Sequence, residues 1–284
     1  MNTNNKRVIK RFCANKGAVF SLLLLILFVI TALIAPWLSP FSPHEVFDGS
    51  YRLPPFWLEG SDPRFLFGTD DIGRDLLSRL IFGAQVSLGV GFMVVTLTLA
   101  VGCILGILAG YFGGWWDIII SRIIDMIMSL PSILLAIVVV AVLGPNLINA
   151  IIAVSVVALP NFVRIVRAAI LAEKQKTYVD ASRGFGANHF RISVRNIFPN
   201  CLAPILVQAS LGFSDGILNV AALGFLGLGA QAPTAEWGTM LSDARSYIES
   251  AWWVVTLPGL CILIVVLAFN LFGDGLRDAL DPKL

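Results

Sequence analysis

Two stretches of the sequence contain residues whose type and position could carry out chemistry. In the first, Asp215 lies near the middle of a long apolar run, and Asn219 follows one helical turn later. An unpaired charge at the centre of a bilayer costs at least ~2.5 kcal/mol, so such an acid needs a partner or a purpose. Two interpretations stay open. Either these groups face a translocation path and accept a cationic group, or they form a helix–helix hydrogen bond or lie nearer to water.

The second stretch is a basic segment between two apolar runs. Residues 164–195 contain seven basic residues and two acids. The pattern predicts a helix over residues 173–183, a glycine break at 184–186, and a second short helix over 189–197 that ends at Pro199. Two short helices set at an angle would form a rigid projection that fits a groove on a partner. The alternative is a solvated basic turn.

Other kinds of site are excluded by what the sequence lacks. No Gly-x-x-x-x-Gly-Lys-Ser/Thr phosphate loop is present, so we expect ATP to be bound by other chains. His44 and His189 are predicted on opposite sides of the membrane, and the four cysteines have no zinc-type spacing. We therefore predict no catalytic residue, no metal site and no cofactor on this chain, which is not an enzyme. Arg122 and Asp125 are predicted to form a local ion pair.

Composition places these stretches in a membrane protein. The chain is 57% hydrophobic and 13% charged, with a mean hydropathy of +0.84, whereas about 25% of residues in soluble domains are charged. A helical crossing takes about 20 apolar residues. Six such runs are predicted, at residues 18–38, 84–112, 123–143, 147–163, 201–226 and 252–272. Because lipid offers no hydrogen-bond partners to the backbone, the runs must be helices and the fold class is all-α and polytopic.

Glycines mark two of these runs. Gly102, Gly106 and Gly110 recur every fourth residue, which leaves one helix face without side chains. This spacing predicts close packing against another helix more strongly than a role in gating. A second group near the end of the fifth run forms either a hinge or a packing surface: Gly224, Gly227 and Gly229.

Lysines and arginines in the loops predict the orientation, because cytoplasmic segments retain positive charge. Five basic residues and no acid precede the first run, whereas residues 39–80 carry four basic residues and seven acids. We therefore expect residues 39–80 to be extracytoplasmic, and the basic segment and both termini to be cytoplasmic. The first run is longer than a signal core and has no convincing cleavage site, which predicts a retained anchor.

The predicted organisation has two parts. Residues 1–80 comprise a cytoplasmic tail, the first span and an extracytoplasmic loop, and residues 81–284 form a core of five spans. Residues 39–67 are rich in proline and aromatic residues and form either an ordered cap or a flexible loop. Residues 68–79 are predicted to form a turn followed by a short amphipathic helix that lies on the membrane.

The basic segment resembles the coupling motif of the permeases of binding-protein-dependent ABC importers. That motif reads Glu-Ala-Ala, three residues, Gly, nine residues, then Ile-x-Leu-Pro. Seven residues fall in its register: Asp180, Ala181, Ser182, Gly186, Asn196, Phe198 and Pro199. Four of them depart from it, since Asp180 stands for Glu, Ser182 for Ala, Asn196 for Ile and Phe198 for Leu. The acid and the helix-turn character are kept.

Further segments narrow the resemblance to the dipeptide, oligopeptide and nickel permease family, and it extends over nearly the whole chain. They are Gly-Thr-Asp at 68–70 with Gly-Arg-Asp at 73–75, residues 223–229, Glu-Trp-Gly at 236–238 and residues 269–282. The resemblance implies the permease fold of ABC type I importers. It also implies that a coupling loop, about residues 172–200, docks in a cleft of an ATP-binding subunit.

The same resemblance implies partners and a place in the cell. They are a second homologous permease subunit, two ATP-binding subunits that hold ATP and Mg, an extracytoplasmic substrate-binding protein and the lipid of the bacterial inner membrane. No nucleic acid is expected, because the membrane topology explains the basic residues.

Short peptides, dipeptides first, are the expected substrates, and Asp215 would accept a peptide's amino group. Glutathione, nickel chelates and haem are alternatives within the same family. One rival is an ion-coupled secondary transporter, which would show a relay of intramembrane acids or repeated halves, whereas the sequence has one central acid and no repeat. A membrane-embedded enzyme, the other rival, would need a catalytic constellation.

Overall fold

The structure is a computed structural model that describes residues 3–280. In this range the chain consists of helices joined by turns, with one isolated bridge between Thr69 and Asp75. The helices are α1 (Thr3–Ala14), α2 (Lys16–Leu33), α3 (Ala35–Leu38), α4 (Leu76–Ile107), α5 (Gly114–Met128), α6 (Ser132–Leu143), α7 (Leu147–Lys174), α8 (Thr177–Gly184), α9 (Leu202–Phe225), α10 (Trp237–Ala244) and α11 (Trp252–Leu280). The predicted all-α class is confirmed.

Helical stretches long and apolar enough to cross a membrane make up most of the described chain. Five qualify individually: Lys16–Leu33, Leu76–Phe112, Leu147–Lys174, Arg191–Phe225 and Trp252–Leu280. A sixth is reached only if the bent pair α5 and α6 counts as one span. The prediction of a polytopic membrane protein therefore agrees with the observed helices.

Short polar side chains set the starts of several helices. Asn15 accepts a hydrogen bond from the amide of Ala18 at the start of α2, and Asn146 accepts one from Ile148 at the start of α7. Asp75 begins α4 in the same way, through the amide of Ser78. Each satisfies one of the backbone donors that a helix leaves unpaired at its first turn.

The third predicted span, residues 123–143, is not one continuous helix, although the bent pair that replaces it is still a candidate span. The chain forms α5 up to Met128 and α6 from Ser132, and the two helices are bent by 93°. Pro131 explains the break, since it has no N–H to donate and it disfavours the helical conformation at Leu130. Ile120 of α5 packs in one cluster with Val163 of α7.

The glycines of α4 lie against α7. A Cβ atom added at Gly106 would lie 2.5 Å from the Cβ of Val166, so no other residue fits there without a shift. The close contacts recur one turn apart on both helices, at Gly102–Phe162, Gly106–Val166 and Gly110–Ile170. Residue numbers rise together along this seam, so α4 and α7 run parallel. We call these three contacts the glycine seam.

Residues 39–75, which we call the cap, are ordered. The rings of Phe41, Phe47 and Phe65 form one cluster, with centroids 5.0 to 5.7 Å apart. The Thr69 hydroxyl donates to the carbonyl of Ser50 at 2.5 Å and accepts from the backbone amide of Leu53 at 2.8 Å. Of the two possibilities left open by the sequence, the structure therefore has the ordered cap.

The junction between the cap and α4 differs from the prediction of a separate amphipathic helix on the membrane. α4 begins at Leu76 and continues for 32 residues. Asp70, Arg74 and Arg79 are buried at this junction: Arg74 Nε lies 2.5 Å from Asp70 Oδ2, and Arg79 Nε lies 3.4 Å from the same oxygen. The polar residues therefore pair with one another and do not form a water-facing stripe.

The chain after α9 folds back over the end of the bundle where the cap joins α4. Trp237 of α10 is buried, and its indole N–H donates to the carbonyl of Leu80 in α4. Glu236 caps α10 by accepting from the amides of Gly238 and Thr239 at 2.9 Å each, while burial raises the pKa of its carboxyl group. Arg74 Nη2 lies 3.9 Å from Asp243, which connects the cap to α10.

For the glycines near the end of α9, the sequence left open a hinge or a packing surface, and the structure gives Gly224 and Gly227 different roles. A Cβ at Gly224 would lie 2.8 Å from Glu236 Oε2, so Gly224 is a close contact with the cap of α10. Gly227 has open space but a φ of +76°, and it forms the turn after the helix. Packing and turn chemistry therefore account for these two positions.

Candidate functional site

Because α7 continues to Lys174, we use the name basic segment from here on for residues 175–201. This segment contains the two predicted short helices. The first is α8, and the second begins near His189 and takes a π-helical form over Arg191–Ile197. Between them Gly186 has a φ of +75°, a conformation that favours glycine. The seven residues of the motif therefore lie on one helix–turn–helix unit, from Asp180 to Pro199.

Three predicted boundaries of this segment were wrong. The fourth span continues to Lys174 and does not stop at residue 163, so Arg164 and Arg167 are helical. The helix predicted from residue 173 is interrupted before α8 begins at Thr177. Pro199 does not end the second helix. It lies in a 3-10 turn, Phe198–Cys201, that leads directly into α9, because proline is tolerated in the first turn of a helix.

Hydrogen bonds join the two short helices to each other. Asn196 Nδ2 donates to Ser182 Oγ at 3.1 Å, and Asn200 Nδ2 donates to the Tyr178 hydroxyl at 3.1 Å. The same hydroxyl donates to Glu173 Oε1 at 2.9 Å, at the end of α7. Two departures from the family motif, Ser182 and Asn196, therefore bond to each other. This contact gives a physical reason for both departures at once.

Two aromatic side chains project from the basic segment without cover. Phe185 is 92% exposed and Phe190 is 72% exposed, on either side of the Gly186 turn. Asp180 and Ala181 are exposed on α8 beside them. Their exposure and their position beside the motif make them candidates for contact with a partner chain. Sequence reasoning missed both, although phenylalanines next to a glycine turn in a basic loop were a usable signal.

A buried tyrosine connects this segment to the helix bundle. Tyr111 lies in the π-helical turn Leu108–Phe112 that ends the second span, and it is 4% exposed. Its hydroxyl lies 3.0 Å from His189 Nδ1, and its backbone carbonyl accepts from Lys174 Nζ at 2.5 Å. Sequence reasoning did not single out Tyr111 and considered His189 only as a metal ligand.

Ion pairs fasten α5 to α7 near the same end of the bundle. Arg167 donates two hydrogen bonds to Asp117, at 2.6 and 2.7 Å, and Arg164 donates to Asp125 at 2.8 Å. The predicted local pair between Arg122 and Asp125 was therefore wrong. Asp125 instead reaches an arginine that the longer α7 helix brings alongside α5.

Asp215 lies on a face of α9 that the bundle leaves open. The residues around it contact other helices: Gly212 approaches Phe162 of α7, Ser214 Oγ donates to Asn270 of α11 at 2.6 Å, and Gly216 approaches Val94 of α4. Asp215 itself is exposed, and its carboxylate has no hydrogen bond or ion pair to any of residues 3–280.

Two further polar side chains share this face of α9 with Asp215. Asn219 lies one turn beyond Asp215 and its side chain donates to the Asp215 backbone carbonyl at 2.7 Å. Gln208, two turns before Asp215, lines a cavity of about 450 Å³ together with Ile165 of α7 and Arg277 of α11. Residues seven apart share one face of an α-helix, so Gln208, Asp215 and Asn219 form a polar stripe along α9.

A metal site does not appear in the part of the chain that the structure describes. Within residues 3–280, no three side chains of His, Cys, Asp or Glu lie close enough to hold an ion together. His189, considered above as a metal ligand, lies instead within hydrogen-bond distance of the Tyr111 hydroxyl.

The comparisons with known families define the class of protein. The family described as binding-protein-dependent transport system inner membrane component matches residues 102–284. The N-terminal TM domain of oligopeptide transport permease C matches residues 4–55. The chain belongs to this family of ABC importer permeases, as its motif predicted, and it is a multi-pass permease subunit of the bacterial inner membrane.

Individual relatives narrow the comparison. The chain is 56% identical over 273 residues to the di/tripeptide transport system permease protein DppC of Pseudomonas aeruginosa (strain UCBPP-PA14), with 96% of this chain and 90% of the relative covered. It is 58% identical over 273 residues to the dipeptide transport system permease protein DppC of Escherichia coli (strain K12), with 96% and 91% covered. Identity to the glutathione transport system permease protein GsiD of Escherichia coli O6:K15:H31 is 44%, with 97% and 89% covered.

A solved structure supports the fold. The inward-facing MetNI methionine ABC transporter has a chain that superimposes with a TM-score of 0.59 at 21% identity. The match covers 72% of this chain and 98% of the other. At this identity, the likeness bears on the fold alone.

Proposed function

We propose that this chain forms one half of the translocation path of an importer for short peptides, dipeptides in particular. Its identity to relatives named for dipeptide or di/tripeptide transport is 56% and 58%, against 44% to the relative named for glutathione transport. A second permease chain supplies the other half, and an extracytoplasmic binding protein delivers the peptide. The division of the chain near residue 80 stays a proposal, and the two family matches leave residues 56–101 between them.

The observation that carries the path is the unpaired carboxylate of Asp215. A charge on a membrane-crossing helix cannot face lipid cheaply, and within residues 3–280 it has no partner. The polar stripe of Gln208, Asp215 and Asn219 therefore faces the second permease and the water-filled path between the two subunits. There Asp215 accepts hydrogen bonds from the cationic amino group of a peptide.

Peptide uptake by an Asp215→Asn variant tests this role. We expect uptake of dipeptides to fall at least tenfold while the amount of chain in the membrane stays the same, because the amide keeps the shape and loses the charge. The matched control is Asp62→Asn, which removes a partly exposed carboxylate of the cap that pairs with Arg64. Uptake at the wild-type rate by the Asp215→Asn variant would remove Asp215 from the path.

We also propose that the basic segment couples the chain to ATP hydrolysis, since its excess of lysine and arginine predicts a cytoplasmic location. Phe185 and Phe190 are the anchors that enter the cleft of an ATP-binding chain, and the Gly186 turn sets the angle between the two short helices. ATP and Mg are held by the partner chains. Closure of the ATPase pair then shifts the population of inward-open and outward-open bundles.

Purification of the tagged chain from native membranes in mild detergent tests the coupling. We expect a second permease chain and ATP-hydrolysing chains to co-purify with the wild type, and Gly186→Trp to release the ATPases. Gly49→Trp in the cap is a matched control, because Gly49 has a φ of +79° and equally open surroundings. If the wild-type chain purifies alone and without ATP hydrolysis, an ion-coupled secondary transporter becomes the better interpretation.

A further inference from the structure

Tyr111 holds together three parts of the molecule that are far apart in sequence. Its hydroxyl contacts His189 of the basic segment, and its carbonyl accepts from Lys174 at the end of α7. The Lys174 ammonium also lies 5.5 Å from the centroid of the Tyr111 ring, a cation–π distance. Tyr111 itself ends the second span, directly after α4. A single side chain therefore contacts the ends of two spans and the helix that follows Gly186.

The contact with His189 differs from the other bonds of the basic segment. The Tyr178, Ser182, Asn196 and Asn200 side chains bond within the segment or to Glu173 of α7. Among residues 3–280, the hydrogen bond between Tyr111 and His189 is the side-chain bond that joins the segment to the second span. Val179 and Ile192 of the segment also pack in one buried apolar cluster with Tyr111, and the hydrogen bond adds a fixed direction and distance to that contact.

We propose that Tyr111 is a positioning residue through which the basic segment moves the end of the second span together with α7 and α9. This inference rests on the proposed coupling function. The segment follows α7 directly and continues through its 3-10 turn into α9, so the chain itself connects it to both helices. The second span has no such connection along the chain, and Tyr111 supplies the hydrogen bond that links it to the segment. Without that bond, closure of the ATPases moves α7 and α9 more than the second span.

The π-helical turn Leu108–Phe112 supports this role. A π-helical turn is a local widening that occurs often at functional sites. It places Tyr111 below the last regular turn of α4, where the ring is buried and the hydroxyl still reaches the basic segment. Gly110 in the same turn contacts Ile170 of α7. The end of the second span is therefore bonded to the segment by one residue and packed on α7 by its neighbour.

The test compares Tyr111→Phe with wild type in the complete transporter, purified with its partner chains and reconstituted in proteoliposomes with peptide-loaded binding protein. The variant keeps the ring, its packing and the carbonyl bond to Lys174, and it loses only the hydroxyl. We expect ATPase chains to co-purify in wild-type amounts and ATP hydrolysis to continue, while peptide transported per ATP falls about fivefold, the effect of one hydrogen bond. Tyr247→Phe at the cap end is the matched control.

A double variant separates positioning from general damage. If the two groups act as one connection, Tyr111→Phe combined with His189→Phe transports as much peptide per ATP as either single variant. Additive losses, or a wild-type ratio in Tyr111→Phe, would overturn the inference. A wild-type chain that brings no ATPase through purification would instead refute the proposed coupling function, so the two failures are distinguishable.

Discussion

The cap and the basic segment both connect spans, and the structure holds them by opposite means. Where the cap joins α4, Asp70, Arg74 and Arg79 are each less than a tenth exposed and pair around one carboxylate. In the basic segment, the pair of Asp180 and Arg183 is at the surface, with side chains 65% and 43% exposed.

This difference follows from what each connection has to do. Two charges taken out of water must be matched by close partners, so a buried cluster is stable in one geometry only. A surface pair contributes little and permits adjustment. The cap is therefore built to stay in one arrangement over α4 and α10. The basic segment keeps its own shape through Tyr178, Ser182 and Asn196, and it leaves its outer surface for a partner chain.

The largest expected effect is at the buried cluster. Arg79→Met removes one partner of Asp70 and should destabilise the chain by about 3–5 kcal/mol, since the remaining buried groups lose a compensating charge. For a chain of this size we expect a thermal midpoint in detergent that is lower by roughly 10 °C. An unchanged midpoint would show that the cap does not depend on its buried charges, and the comparison with the basic segment would break down.

The second effect concerns the glycine seam, which packs the second span against α7. Gly102→Leu places a Cβ 2.8 Å from the Cβ of Phe162, and overpacking of this kind costs about 1–3 kcal/mol. We expect a marked loss of complex yield after purification. The control is Gly89→Leu on the same helix, where an added Cβ has open space around it. A normal yield of the Gly102→Leu complex would count against close packing at this contact.

The third effect separates stability from partner contact in the basic segment. Phe185→Ala together with Phe190→Ala removes exposed rings, so the thermal midpoint of the isolated chain should stay unchanged. Removing an interface anchor costs about 1.4 kcal/mol or more, which is tenfold in affinity, so the ATPase chains should dissociate at least tenfold more readily. Titration of purified ATPase onto the chain in nanodiscs measures this. A lower midpoint with unchanged affinity would mean that the rings stabilise the fold.

The smallest effect is expected within the cap itself. Arg64 and Asp62 form a close pair at 2.7 Å, but the Arg64 side chain is 59% exposed. Water and salt screen such a pair, so Arg64→Met should leave the thermal midpoint unchanged. The same substitution at Arg79 and at Arg64 therefore compares a buried and a surface arginine in one connection. Equal losses at both would show that burial is not what distinguishes them.

Much of this molecule was predictable from local patterns. Long apolar runs placed most spans, the spacing of Gly102 and Gly106 indicated a close helix contact, and the register from Asp180 to Pro199 identified the family. The break of the third span had a visible signal in Pro131, but an average over 20 residues hides one proline. Each of these features depends on residues within one turn or one helix of each other.

The features that sequence reasoning missed depend on distant partners. Arg79 belongs to a cluster that includes Asp243 of α10, so residues 68–79 have an amphipathic pattern although their charges are buried. Asp125 pairs with Arg164, 39 residues away, and Tyr111 bonds to His189, 78 residues away. No local period encodes such pairs, because folding brings them together and the chain between them does not.

The parallel course of α4 and α7 also bears on how many times the chain crosses the membrane. The glycine seam advances in the same direction on both helices, from Gly102–Phe162 to Gly110–Ile170. A chain that crosses twice in one direction must return between the two crossings, and within residues 3–280 only the bent pair α5 and α6 lies between them. Parity therefore favours counting that pair as one span, which is the count that gives six spans within residues 3–280.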